Sequence, residues 1–271
     1  MGIRINTNIP AMNTGRMLSR STKSLEQSLQ RLSSGLRINR AADDAAGLAI
    51  AEAFRAQVKG TQTAQRNSQD GISLVQTAEG ALSETTNILQ RVRELAVQAA
   101  NGTQSDNNRA AMEGEVQQLL AQINSIAVDT EFNGIRVLSA AQTVTLQSGA
   151  MTSQTLSVVL SGAKTNDLGV STLHVSSVAL AVSAISTVDN AIKSVTSLRS
   201  NLGAYQNRLE FTINTLAIQE ENAAAAESAI RDANIAVETI AFTRNQILVS
   251  AGTSVLAQAN IVPQSALALL G

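Results

Sequence analysis

The residues that could carry chemistry are few, and they do not form a known catalytic or metal-binding arrangement. His174 is the only histidine and there is no cysteine, so a Ser-His-Asp or Cys-His site would depend on one residue. The adjacent carboxylates Asp43-Asp44 and Glu220-Glu221 point to different sides of a helix and are interpreted as cap and surface charges. The chain has neither a G-x-x-x-x-G-K-S/T loop nor an H-E-x-x-H motif. We therefore expect no enzyme activity, no cofactor and no metal.

The composition indicates a chain that buries small aliphatic side chains. Aromatic residues are 2% of the 271 residues, so the core depends on Leu, Ile, Val and Ala rather than on large rings. The net charge of −1 gives no general attraction to nucleic acid or to an anionic membrane. Residues 1–20 contain no apolar stretch of signal-peptide length, so we expect no export by that route.

Charge is unevenly distributed along the chain. Residues 1–66 hold ten Lys/Arg against four Asp/Glu, whereas residues 210–240 hold six Asp/Glu against one Arg. Complementary charge sets register and partner choice, so one interpretation is that N-terminal and C-terminal helices lie side by side, within a chain or between copies. The alternative is that both regions are solvated helix faces.

Apolar spacing predicts long helices in the first half. An a/d-type stripe extends to Gly35, where the sequence predicts a helix stop. After a break at 39–44, a second helix extends to about Ala100, with a candidate kink at Asp70-Gly71 and a stop at Asn101-Gly102. A third helix follows over Met112–Ile126. The stripe of the first helix consists of Leu18, Leu25, Leu29, Leu32 and Leu36.

The middle of the chain changes character and then returns to helix. A turn signal at 132–134 and alternating apolar residues at 144–146 and 156–160 predict a small β-hairpin region at about 135–175. Helical periodicity resumes at Ile185 and continues to the C-terminus. The predicted fold is mainly α: a long antiparallel helical bundle or coiled coil formed by the N- and C-terminal segments, with the β-hairpin region in the middle.

The last 27 residues, Asn245 to Gly271, carry no charged side chain. Polar residues interrupt the apolar run, so it does not predict a membrane span, which needs about 20 predominantly apolar residues. Three- and four-residue steps place the apolar positions on one helix face, and we expect that face to be buried against other helices. This pattern favours assembly. The positions are Ile247, Leu248, Ala251, Val255, Ala259 and Val262.

Several long motifs resemble bacterial flagellin. In the N-terminal half they are INTNIPAMN at 5–13, LQRLSSGLRINRAADDAAGLAI at 29–50 and QRVRELAVQAANGT at 90–103. In the C-terminal half they are LGAYQNRLEFTINTL at 202–216, ILVSAGTSVLAQAN at 247–260 and the ending VPQSALALLG. The resemblance covers about residues 1–140 and 180–271.

The resemblance implies a short flagellin without variable outer domains. Residues 1–44 and 231–271 would form an inner coiled-coil domain, and residues 45–178 and 183–230 a helical bundle domain with the small β-hairpin. The implied function is a secreted structural subunit that self-assembles into the extracellular flagellar filament used for swimming motility. The implied partners are other flagellin subunits, a flagellar export chaperone, hook-associated and cap proteins, and the innate receptor TLR5.

The resemblance also implies site residues. In the filament core, the leucine stripe of the first helix and the apolar face of the tail would pack against other helices. Cytosolic immune sensors would read the C-terminal leucines Leu267, Leu269 and Leu270. The TLR5 contact candidates are Gln90, Arg91, Leu95, Gln98 and Glu115.

Two other functions stay open at this stage. A hook–filament junction protein shares similar end segments but should not elongate into long tubes. A secreted coiled-coil adhesin would be ordered to its ends as a monomer. The run QRVRELAVQ at 90–98 favours flagellin over the junction protein.

Overall fold

The computed structural model describes residues 7–268, without the side chains of residues 262–264 and 266–268. Long helices account for most of the described chain, and four short strands interrupt them in the middle. The mainly α fold class predicted from the sequence is confirmed. The elements are α1 (Ile9–Ser34), α2 (Ala45–Ala100), α3 (Asp106–Asp129), β1 (Glu131–Phe132), β2 (Ile135–Arg136), β3 (Gln142–Gln147), β4 (Thr155–Leu160), α4 (Val178–Arg231) and α5 (Ile235–Ala268).

Helix α1 has well-formed signals at both ends. The Asn8 side chain accepts a hydrogen bond from the Ala11 backbone N–H at 3.1 Å, which satisfies one of the free donors at a helix start. At the other end Gly35 has φ +73° and donates to the Arg31 carbonyl at 2.8 Å. This left-handed conformation favours glycine, so the predicted stop at Gly35 is confirmed.

Helix α2 runs through Asp70-Gly71, and the kink considered at this dipeptide does not interrupt the helix. Gly71 is buried beneath β3. A Cβ built there would overlap Leu146 Cδ1 and would lie 3.4 Å from Leu209 Cδ1. The glycine therefore makes room for the hairpin to approach the helix, a packing role that a local turn signal does not distinguish from a kink.

The chain divides into two compact units. One consists of Met1–Ala56 with Asn222–Gly271, and the other of Gln57–Glu221. We call them the end unit and the bundle unit. The sequence placed boundaries at 44 and 231, near breaks between helices, whereas these units divide inside α2 and α4. The assignment of residues 1–44 and 231–271 to an inner filament domain stays a prediction.

The bundle unit has one large aliphatic core. Its helical members come from α2, α3 and α4 and recur at three- and four-residue steps as in amphipathic helices. Strand β4 and the irregular segments before β3 and after β4 contribute the other members. Alanine is frequent among the helical members, which lets the helices approach closely. The fully buried helical members include Ala78, Leu89, Val92, Ala96, Val116, Ile123, Val188, Ala191 and Val195.

Two short antiparallel hairpins lie in the bundle unit. Strands β1 and β2 join through Asn133 and Gly134, whose φ angles of 50° and 77° suit a two-residue hairpin turn. Strands β3 and β4 pair with Leu146 opposite Leu156. The predicted strands at 144–146 and 156–160 are thus confirmed. The sequence also placed residues 161–175 in the β region, but they contain no strand.

Instead, residues 161–177 form an irregular segment that contributes to the core. Val170, Leu173 and Val175 are all buried. The backbone N–H and the hydroxyl of Thr165 both donate hydrogen bonds to the Asn124 side-chain oxygen, each at 3.0 Å. The segment is therefore fixed by side chains of α3 and by burial rather than by a strand ladder.

Helix α4 is the one helix among residues 7–268 that is long and apolar enough to cross a membrane by length and composition alone, with a window of mean hydropathy 1.3. Its Ala181, Ala184, Val188 and Ala191 belong to the bundle core. Packing between helices accounts for these apolar residues. The C-terminal helix α5, which contains the uncharged tail, does not meet the same criterion over its described length.

Candidate assembly surfaces

Helices α1 and α5 pair along the end unit. Gly252 of α5 lies close to α1, because a Cβ there would be 3.2 Å from Leu18 Cδ1. The Asn8 side chain donates to the Ala259 carbonyl at 2.8 Å. At the other end Arg31 and Glu238 are 3.7 Å apart. The interpretation that N-terminal and C-terminal helices lie side by side therefore applies within the chain.

The apolar face predicted on the tail is largely turned away from this pairing. Ile247 is 63% exposed, Val255 56% and Leu248 49%, and Ala251 is also exposed. Ala259 is half-buried, and the side chain of Val262 lies outside the described residues. The packing of α5 on α1 involves Gly252, which is one residue beyond the predicted Ala251.

The leucine stripe of α1 is displaced in a similar way at one position. Leu18, Leu25, Leu32 and Leu36 are half-buried, but Leu29 is 55% exposed. The residue buried at that level is Ser28, which is turned by about 100° from Leu29 on the helix. The sequence pattern favoured Leu29 because a/d positions are assigned to large apolar residues and not to small polar ones such as Ser28.

Together these residues leave an apolar face on α5 that the single chain does not cover. We define the α5 outer face as Ile240, Ile247, Leu248, Ala251 and Val255, which are all exposed. Their spacing places them on one side of the helix. Large contiguous apolar patches on a soluble monomer mark interaction sites or aggregation hazards. This face is therefore the first candidate assembly surface.

The two connectors next to the helix pair are joined by main-chain hydrogen bonds. The Arg37 N–H donates to the Arg231 carbonyl at 2.6 Å, and the Ala233 N–H donates to the Gly35 carbonyl at 2.9 Å. Between them Leu36 and Asp232 form an antiparallel bridge. The end of α1 and the start of α5 are thus fixed to each other.

Four of the five receptor-contact candidates are exposed polar or charged residues of the bundle unit. Arg91 bonds Glu115 at 2.9 Å and Glu94 at 3.1 Å, and these bonds, chiefly that with Glu115, raise the pKa of Arg91. Gln90 and Gln98 are exposed.

The remaining candidates for immune recognition are placed differently. Leu95 is 2% exposed and packs in the bundle core. A receptor role for Leu95 stays a prediction. Leu269, Leu270 and the side chain of Leu267 lie outside the described residues, and their sensor role stays a prediction as well.

Three of the residues first considered for chemistry, Asp43, Glu220 and His174, have structural partners. The Asp43 carboxylate accepts from the backbone N–H groups of Arg40 and Asn39, and these bonds lower the pKa of Asp43. The Glu220 carboxylate accepts from Gln62 at 2.6 Å and Gln65 at 3.1 Å. Among the described residues, no group of three or more His, Cys, Asp or Glu side chains could hold a metal ion.

His174 joins a network around Glu113 of α3. Its Nδ1 lies 2.7 Å from Glu113 Oε1, while the Val175 N–H donates to Oε2. Gln117 donates to Oε1 at 2.8 Å and to the Leu173 carbonyl at 3.0 Å. This network attaches the irregular segment to α3, so the single histidine contributes to a structural contact.

Sequence reasoning missed two exposed apolar residues on α4. Phe211 is 71% exposed and Ile218 is 61% exposed. Both lie outside the stripe of Leu209, Ile213 and Leu216 that predicted the helix. The sequence did contain a signal for a second surface, because large apolar residues outside the buried stripe indicate an exposed apolar patch.

Comparison with known proteins agrees with this architecture. The model of the bacterial flagellin N-terminal helical region matches residues 5–143, and that of the C-terminal helical region matches residues 185–270. A flagellin of Halalkalibacterium halodurans is 47% identical over 274 residues, covering 98% of this chain and 99% of that protein. The flagellar filament 31.3 kDa core protein of Treponema maltophilum is 43% identical over 283 residues, with 98% and 99% covered.

Among solved structures, one described as that of a flagellar hook-associated protein from Vibrio parahaemolyticus has a TM-score of 0.59 and 12% identity. The similarity covers 70% of this chain and 100% of that one, and at this identity it shows a shared fold alone. The family models between them match most of the sequence, and the curated relatives match nearly all of it. The chain therefore belongs to the bacterial flagellin family.

Proposed function

We propose that this chain is the structural subunit that polymerises into the bacterial flagellar filament, the helical propeller of a swimming cell. Its membership of the flagellin family carries the proposal, with a named filament core protein among relatives that match nearly the whole chain. The site of action is the extracellular filament, and the activity is mechanical.

The α5 outer face supports this function physically. Ile247, Leu248 and Val255 are each about half exposed or more, and fully burying such a side chain stabilises by about 1.5–3 kcal/mol. Covering the remaining exposed part of each by a neighbour would therefore contribute on the order of 1 kcal/mol. Such contacts are weak singly, but a polymer repeats them at every subunit.

Two other functions were considered and are less well supported. A hook–filament junction protein has a related fold, because the hook-associated structure matches at a TM-score of 0.59, but the family models and curated relatives are those of flagellins. The hypothesis of a coiled-coil adhesin does not explain the match to a filament core protein.

The proposal extends to partners of the filament subunit. An export chaperone would cover the apolar face of α5 before assembly, and hook-associated and cap proteins would contact subunits at the two filament ends. For TLR5, the accessible candidates are Arg91, Glu115, Gln90 and Gln98, which are all exposed. Each of these partners is tested by binding to the purified chain.

The main test is assembly of the purified protein on filament seeds, observed by negative-stain electron microscopy. Wild-type protein should elongate into long tubes. Val255→Asp should not, because each lattice contact would bury a carboxylate without a partner. Since Val255 is exposed in the single chain, circular dichroism of the monomer should change little.

The matched control is Gln122→Asp, which adds the same charge at an exposed position of α3 and should polymerise. Failure of wild-type protein to elongate would overturn the filament function. Normal filaments from Val255→Asp would show instead that the α5 outer face is not an assembly surface.

A further inference from the structure

A second uncovered surface lies on α4 within the bundle unit. Phe211 and Ile218 are 71% and 61% exposed and, being seven residues apart, share one side of the helix. Glu210 and Glu221 are exposed at the edge of this side. We call these four residues the α4 stripe. Phe211 is one of only four phenylalanines in the chain, and aromatic residues are enriched at interfaces.

A groove of opposite charge lies elsewhere on the same unit. Its volume is about 510 Å³, and it is formed by α2 and the turn between β3 and β4. Gly60 keeps the turn close, since a Cβ there would be 2.9 Å from the Ala150 Cβ. Met151 lines the groove and is 63% exposed. Lys59 also lines it, and Arg66 lies seven residues further along the same side of α2. We call this the α2 groove.

The charges of both surfaces lack a partner of opposite charge in the described part of the chain, although Glu210 accepts a hydrogen bond from Gln206 at 3.2 Å and Arg66 donates one to Thr63 at 3.1 Å. Among the side chains that the structure describes, Lys59, Arg66, Glu210 and Glu221 form no ion pair. The neighbouring Glu220 accepts hydrogen bonds from two glutamines of α2. The acidic α4 stripe and the basic α2 groove are thus complementary in charge and are both exposed.

On the basis of the proposed function, we propose that the α4 stripe of one subunit packs into the α2 groove of a neighbouring copy. Phe211 would enter the groove beside Met151, while Lys59 and Arg66 would face Glu210 and Glu221. Because the two surfaces are different patches of one chain, the contact is heterologous. Such contacts continue from copy to copy instead of closing a dimer, which suits a lateral contact in a filament.

Charge reversal tests the pairing directly. Glu210→Lys with Glu221→Lys, and separately Lys59→Glu with Arg66→Glu, should each raise the critical concentration for polymerisation about 3- to 10-fold, because exposed pairs are individually weak. The chain with all four changes should return towards the wild-type value. Phe211→Ala should raise it by about tenfold or more, as for a buried aromatic anchor.

A crosslink tests the same contact without depending on charge. The chain has no cysteine, so Thr152→Cys in the groove and Thr215→Cys beside Phe211 each introduce a single thiol. Polymers mixed from the two variants should give a disulfide-linked dimer on mild oxidation, and polymers of either variant alone should not. Mixtures of Thr152→Cys with Gln122→Cys serve as the control.

The outcomes separate this inference from the filament function. If wild-type protein elongates but the reversals polymerise normally, or the mixed polymer gives no dimer, the contact is wrong and the filament function stands. If wild-type protein does not elongate, the filament function fails, and the contact fails with it. A variant with an altered circular dichroism spectrum is judged by the four-change chain and the crosslink.

Discussion

Replacing Glu113 by Gln should loosen the attachment of residues 173–175 to α3 at neutral pH and should have a smaller effect in acid. The Glu113 carboxylate accepts from the Val175 N–H and from Gln117, and it lies 2.7 Å from His174 Nδ1. Its side chain is only 18% exposed. The carboxylate therefore joins two parts of the bundle core in a partly dry site.

The magnitude follows from these contacts. Gln has nearly the same shape but no charge, and hydrogen bonds to a charged group contribute about 1.5–3 kcal/mol each against about 1 for neutral ones. His174 adds little because its side chain is 56% exposed. We therefore expect Glu113→Gln to lower the free energy of unfolding by about 1–3 kcal/mol at pH 7.

The pH dependence has a definite sign. Burial by itself would raise the pKa of Glu113, but hydrogen bonds from Val175, His174 and Gln117 outweigh it and hold the pKa below its ordinary value of 4.5. A carboxyl group with a lowered folded-state pKa stabilises fully above its unfolded-state pKa. That contribution is lost as the pH falls through the folded-state value. The difference between wild type and Glu113→Gln should therefore shrink below pH 4.5.

Urea unfolding of the full chain at pH 7 and pH 3, followed by circular dichroism, measures the effect. Hydrogen exchange at the Val175 amide should show faster opening in the variant at pH 7. The control is Glu115→Gln on the same helix, whose pair with Arg91 is exposed and should contribute less than about 1 kcal/mol. Equal effects of the two substitutions at pH 7, or an undiminished Glu113→Gln effect at pH 3, would refute the reasoning.

Two further predictions concern packing of the bundle unit and use urea unfolding. Gly71→Ala should be destabilising by up to about 2 kcal/mol, because crowding of Leu146 outweighs the gain of about 1 kcal/mol in helix propensity. Gly80→Ala, which meets no atom within 4 Å, should instead stabilise by about 0.5–1 kcal/mol; the same sign for both would contradict this account. Leu89→Ala, at a fully buried position, should cost about 2–5 kcal/mol. Val97→Ala, at a position 48% exposed, should cost much less, and similar losses would count against the assigned core.

The helices were predictable because their signals are local. A cap at Gly35 and regular apolar spacing fix where a helix lies, and the long span of α2 follows the same rules. The choice between Ser28 and Leu29 was not predictable. One residue changes the direction of a side chain by about 100°, and the preferred face depends on how closely α5 approaches.

The assembly surfaces were predictable only in part. The apolar pattern of the tail predicts that other helices cover it, but no pattern states whether that cover is α1 or another copy. The segment at 161–177 has no period, so its buried Val170 and Val175 could not be distinguished from loop residues. Their positions are decided by contacts with α3 that are distant in sequence.

The hydrogen-bonded connectors have a mechanical consequence. A pulling force applied to the free ends of α1 and α5 separates the two helices one contact after another, as in opening a zipper. The force then reaches a short antiparallel ladder in which the bond of Ala233 with Gly35 is loaded first and that of Arg37 with Arg231 directly after it. In single-molecule pulling, we expect gradual lengthening followed by one abrupt step, and a continuous extension without a step would contradict this. Tension applied to either helix would therefore act on both connectors, because the hydrogen bonds join them.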